Sequence, residues 1–97
     1  MPSESFDATE VGRISVAITN NIVEARNMIA AENFGLALRK ALLHARTLFR
    51  LLSEKLALAG PRVIEIFIEE FNAMAYALDQ LELRMVMGAP VRQSHTM

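Results

Sequence analysis

Carboxylates recur through the last third of the sequence, and a pair of carboxylates can act as general acid and base when both face a cleft. Glu65, Glu69 and Asp79 instead recur at spacings that place them on one exposed face of a helix. Glu82 differs because it lies beside Ala75 and Leu78, and there we expect it to meet a basic side chain of a facing helix. We therefore expect that the chain is not an enzyme. If it is one, the remaining hypothesis is an active site built on Glu82.

Histidine and cysteine chemistry gives no further candidate site. His44 has no carboxylate and no second histidine three or four residues away, although metal sites on helices need such a neighbour. We expect its ring to lie at the border between the apolar and polar faces of the second helix and to form a hydrogen bond with a neighbouring helix. The sequence has no cysteine, which excludes disulfides, thiolate nucleophiles and cysteine-based zinc sites. We expect neither a metal nor a cofactor.

Arginines and leucines share one line along the second predicted helix. A basic helix can bind nucleic acid, but this one lacks interleaved aromatic residues and a glycine-rich loop, and the chain carries a net charge of −1. Arginine around an exposed leucine is typical of a surface that receives a partner's helix. We expect a protein partner here, with nucleic-acid binding as the alternative. The predicted partner-binding residues are Leu36, Arg39, Leu43, Arg46 and Arg50.

Seven apolar residues recur at alternating three- and four-residue steps after Gly60-Pro61, a pair that typically ends one helix and begins the next. This spacing places all seven on one stripe of a helix, and the stripe needs other helices to cover it. We expect it to form the core or a dimer interface. The seven residues are Ile64, Phe67, Phe71, Met74, Leu78, Leu81 and Met85.

The elements that position these residues are three predicted helices. The apolar period of 3.6 predicts helices over about 11–29, 34–59 and 61–87. Residues 13–19 also alternate like a strand, but no second strand is available to pair with them. Between the first two helices, we expect Asn33 to cap the second helix and Gly35 to adopt a positive φ.

The chain is long enough for one domain, which we place at 10–87. Residues 1–9 and 88–97 lack apolar periodicity, and Gly88-Ala89-Pro90 resembles a helix stop, so we expect a flexible segment at each end. The beginning of the chain is acidic and polar, unlike a secretory signal, and no charge-free run is long enough to cross a membrane. We therefore expect a cytoplasmic protein without a membrane anchor.

The predicted fold is an all-α domain of three helices, in which the second and third form an antiparallel hairpin. Folding the chain back at Gly60 predicts ion pairs of Lys55 with Glu65, Arg50 with Glu70 and Arg39 with Glu82. Hydrophobic residues make up 53% of the chain, more than a small three-helix domain can bury, so we expect a helical-bundle homodimer. The function that fits is non-catalytic protein binding, as in regulatory adaptors, antiactivators or secretion chaperones.

Overall fold

Three helices pack together in the computed structural model, which describes the backbone of residues 8–95 and the side chains of residues 8–88. They are α1 (Ala8–Ala30), α2 (Leu36–Ala59) and α3 (Pro61–His95). The all-helical fold is confirmed, and the described residues include no strand. The strand-like alternation of residues 13–19 has no structural counterpart, since Ile14 and Ile18 are buried on one face of α1 while Val16 is 59% exposed.

The α2–α3 connection is the single residue Gly60, as the sequence predicts. Its φ is +97°, a conformation that glycine adopts without steric cost, and Pro61 begins α3 with a ring already suited to the first helical turn. The carbonyl of Gly60 accepts a hydrogen bond from the N–H of Ile64 at 3.2 Å, which closes the first turn of α3.

The α1–α2 connection differs from the prediction. The positive φ, +59°, lies at Glu32, while Gly35 has a φ of −88°. The N–H groups of Glu32 and Asn33 donate to the carbonyls of Ile29 and Met28, the two bonds of a Schellman motif, so the left-handed residue ends α1. Gly35, not Asn33, is the N-cap of α2, and the Asn33 side chain accepts only the N–H of Gly35, at 3.4 Å.

The core is formed by the apolar faces of α1 and α2 and by part of α3. Seven residues of α1 and six of α2 are buried, from Val11 to Leu56. Among the described side chains of the much longer α3, those of residues 61–88, the buried apolar ones are Met74, Leu78 and Leu81. Most of residues 61–88 therefore lie at or near the surface of the bundle.

The predicted end of the third helix near Met87 was wrong, because α3 includes residues 88–95. An interior glycine costs a helix about 1 kcal/mol and a proline about 3 kcal/mol, which weakens a helix without forbidding it. Gly88 has a packing role instead, because it lies against the ring of Phe34 and a Cβ atom there would overlap that ring. The flexibility predicted for the N-terminal segment falls on residues 1–7, outside the described part of the chain, whereas Ala8 and Thr9 belong to α1.

The molecule is elongated, with principal extents of 62 × 19 × 15 Å. The 35 residues of α3 explain the length, since a helix rises about 1.5 Å per residue. Of the helices within residues 8–95, none has both the length and the hydrophobicity that a membrane span requires.

Candidate interaction surface on helices α2 and α3

The predicted partner-binding residues lie along one side of α2 and continue toward its C-terminus. Leu36 and Leu43 are 67% and 69% exposed, and Arg39 and Arg50 are exposed beside them. The same three- and four-residue steps extend the line to Ser53 and Ala57, two residues that the sequence analysis missed. We refer to this line as the α2 row; it consists of Leu36, Arg39, Leu43, Arg46, Arg50, Ser53 and Ala57.

Arg46 differs from the other arginines of the α2 row because two carboxylates of α3 already bind it. Its Nε and Nη2 atoms donate to Oε2 and Oε1 of Glu82, each at 2.9 Å, and Nη2 also donates to Asp79. The expectation that Glu82 meets a basic side chain of a facing helix is thus confirmed. The hydrogen bonds with Glu82 raise the pKa of Arg46, partial burial opposes the rise, and Asp79 adds to it. Arg46 therefore acts as a bridge between α2 and α3, and its assignment to the partner-binding surface stays a prediction.

The other predicted ion pairs are absent from the described residues. Lys55 Nζ binds Oε1 of Glu10 on α1 at 2.9 Å instead of Glu65. Glu82, predicted to pair with Arg39, is bound by Arg46. Within residues 8–88 no ion pair joins Arg50 to an acidic side chain, so Arg39 and Arg50 are the unpaired cations of the α2 row.

Beyond the Arg46 bridge, toward Gly60, α2 and α3 enclose an apolar depression of about 190 Å³. Its α2 wall carries the small residues Ser53 and Ala57, and its α3 wall carries Ile64 and Ile68. Phe71 completes the lining and stacks on Phe49, with ring centroids 4.4 Å apart and an angle of 20° between the planes. We refer to this depression as the groove; Ser53, Leu56, Ala57, Ile64, Ile68 and Phe71 line it.

The seven-residue apolar stripe of α3 is divided between full and partial burial. Met74, Leu78 and Leu81 are buried in the core, and four further members are half-buried and pack against it. These four are Ile64, Phe67, Phe71 and Met85. Large apolar side chains outside the stripe remain exposed on α3, led by Ile66 at 75% and Tyr76 at 67%.

The residues considered for catalysis or metal binding do not converge on one site. His44 is exposed, and no hydrogen bond joins it to another described helix. Glu65, Glu69 and Asp79 are exposed, and the described residues contain no group of three histidine or acidic side chains that could hold a metal ion. Two further depressions are open to solvent. The one of about 310 Å³ is lined by residues of α1 and α3, and the one of about 460 Å³ is lined by residues of α1. Their linings, like that of the groove, contain no carboxylate.

Comparison with protein-family models, curated proteins and solved structures gives no match to this chain. The α2 row, the Arg46 bridge and the groove are the features of this chain that bear on its function.

Proposed function

We propose that this chain is a non-catalytic interaction module that binds another protein through the α2 row. The observation that carries the proposal is the exposure of Leu36 and Leu43 beside two arginines without ion-pair partners among residues 8–88. A single exposed leucine is common, but here two exposed leucines lie on one line with arginine, a residue type that is enriched at protein interfaces. Regulatory adaptors, antiactivators and secretion chaperones are the classes of protein that work in this way.

An antiparallel α2–α3 hairpin is part of the same proposal. Contacts between the two helices support it: Phe49 stacks on Phe71, while Arg46, earlier on α2, binds Glu82, later on α3. Phe34, which precedes α2, lies against Gly88 near the far end of the bundle. An antiparallel hairpin presents the α2 row and the acidic side chains of α3 along its whole length.

Homodimer formation is the third part. Twelve large hydrophobic side chains of the described residues are exposed, six of them on α3. Contiguous exposed apolar surface marks association sites in soluble proteins, and a second chain covers it at low structural cost.

The Arg46 bridge favours a protein partner over nucleic acid. Two carboxylates neutralise Arg46, so the α2 row presents only Arg39 and Arg50 as unpaired cations within the described part of the chain. A site with so few cations gains little from release of phosphate counterions. Binding that falls steeply with salt would nevertheless identify nucleic acid as the ligand.

The test is affinity capture from native cell extract, with mass spectrometry of the retained proteins, for the wild type and for Leu43→Glu. Because Leu43 is 69% exposed, we expect the variant to keep its melting temperature and lose the captured partner. Ile66→Glu is the matched control, since it places the same charge on an exposed apolar residue of α3. Undiminished capture by Leu43→Glu would place the partner-binding surface elsewhere.

A further inference from the structure

The contact between α1 and α3 differs in charge from the other two helix contacts of the bundle. Lys55 of α2 binds Glu10 of α1, and Arg46 of α2 binds two carboxylates of α3. Among residues 8–88, no ion pair joins α1 to α3. The structure instead brings two cations to one depression there, Arg26 from α1 and Arg84 from α3. Opposite charges thus meet at two of the helix contacts, and like charges meet at the third.

Neither arginine has an acidic neighbour placed to neutralise it. A helical side chain reaches those three and four residues away, and at these spacings Arg26 and Arg84 have no aspartate or glutamate. Glu24 and Glu82 each lie two residues from one of the arginines, which places them about 200° around the helix, and Arg46 already binds Glu82. Both arginines are exposed, and no ion pair within residues 8–88 includes either of them. Two guanidinium groups are therefore available to an anion.

The rest of this depression is apolar. Its volume is about 310 Å³, and Ile29, Ala30 and Leu81 complete the lining. Ile29 and Leu81 belong to the core and are each 7% exposed, so the packing of the bundle holds this part of the lining in place. The volume is at the lower end of the range of about 300–1,000 Å³ that is typical of small-molecule sites. The depression therefore has room for a small ligand with an apolar body.

We infer that this depression binds a small organic anion, a carboxylate joined to an apolar group, as in a short aliphatic acid. The planar guanidinium of arginine presents a fork of N–H donors that matches the two oxygens of a carboxylate. A carboxylate between Arg26 and Arg84 replaces the repulsion of two cations by two attractions, and the apolar group covers Ile29 and Leu81. None of the lining residues belongs to α2, so this site is independent of the α2 row and of the partner proposed for it.

The test is a titration of the full chain with hexanoate, followed by NMR of the backbone amides and methyl groups. We expect saturable shifts that include the methyl groups of Ile29 and Leu81. Arg84→Gln should weaken hexanoate binding by about tenfold or more, because it removes a charge-assisted hydrogen bond. Arg62→Gln is the matched control, since it removes the same charge from an exposed arginine of α3 outside the depression, and we expect unchanged binding. No saturable binding by the wild type, or equal weakening in the two variants, would overturn the inference.

Two further ligands separate the contribution of the arginines from that of the apolar lining. Hexanamide has the same chain without the charge, and inorganic phosphate has the charge without the chain, so we expect the wild type to bind each more weakly than hexanoate. Hexanamide binding as tight as that of hexanoate would overturn the role of the arginines, and phosphate binding as tight would overturn the role of the apolar lining. Arg26→Gln repeats the test from α1 should Arg84→Gln fail to fold, and we expect the same loss of hexanoate binding.

Discussion

Leu78 belongs to the core cluster that residues of all three helices form, and none of its side chain is exposed. Leu78→Ala removes three carbon atoms there, which costs about 2 kcal/mol of transfer free energy plus a term for the cavity. We expect a loss of about 3–4 kcal/mol in the free energy of unfolding, because the core side chains around it cannot fully close the space. That loss is a large share of the free energy of unfolding of a small domain, which is typically roughly 5–15 kcal/mol.

The matched control is Leu83→Ala, five residues later on the same helix and 51% exposed. This change removes the same three carbon atoms from a position that is half exposed to solvent, so no closed cavity forms. We therefore expect the free energy of unfolding to fall by less than about 1 kcal/mol. Urea denaturation followed by circular dichroism measures both values, and equal protein concentrations remove the contribution of self-association. Equal losses would refute the orientation of α3, because they would require both leucines to be buried alike.

Three further changes test other contacts by the same denaturation assay. Phe71→Ala should cost about 2–3 kcal/mol, less than a fully buried phenylalanine, because the ring is half-buried and stacks on Phe49; a loss below that of Leu83→Ala would contradict the stacking. Arg46→Met should cost about 1 kcal/mol or less, since a side chain that is 33% exposed gains little from its ion pairs; a double-mutant cycle with Glu82→Gln isolates the coupling, and zero coupling would argue against the bridge. Gly60→Ala should cost about 1–2 kcal/mol because its φ is positive; an unchanged stability would mean that another residue makes the turn.

Local signals explain why the helices were predictable. Gly60-Pro61 ends α2 and begins α3 through the conformational preferences of two adjacent residues, so no tertiary information is needed. Gly88 and Pro90 carry the same preferences but did not end α3. The contact of Phe34 with Gly88 depends on where the α1–α2 connection meets α3, which a local pattern does not contain.

The predicted ion pairs failed for a geometric reason. Counting from Gly60 matches backbone positions that are level with each other, but side chains on a helix lean toward its N-terminus. In the antiparallel hairpin that we propose, the side chains of the two helices lean in opposite directions, which explains why Arg46 reaches Asp79 and Glu82, beyond the residue that is level with it. The sequence therefore identified the role of Glu82 but not its partner.

The groove could not be predicted from periodicity alone. Spacing places Ser53 and Ala57 on the α2 row, but the depth of the space beside them depends on how far apart α2 and α3 lie. The positive φ of Glu32 likewise depends on the Schellman hydrogen bonds of α1, which a preference for glycine in turns does not reveal.

Native mass spectrometry of the complex recovered from cell extract tests the account most directly, because one spectrum reports self-association and partner binding together. We predict a species that contains two copies of the 10.8 kDa chain and a second polypeptide. A single copy of the chain without a bound polypeptide, or a complex with nucleic acid in place of protein, would contradict the account.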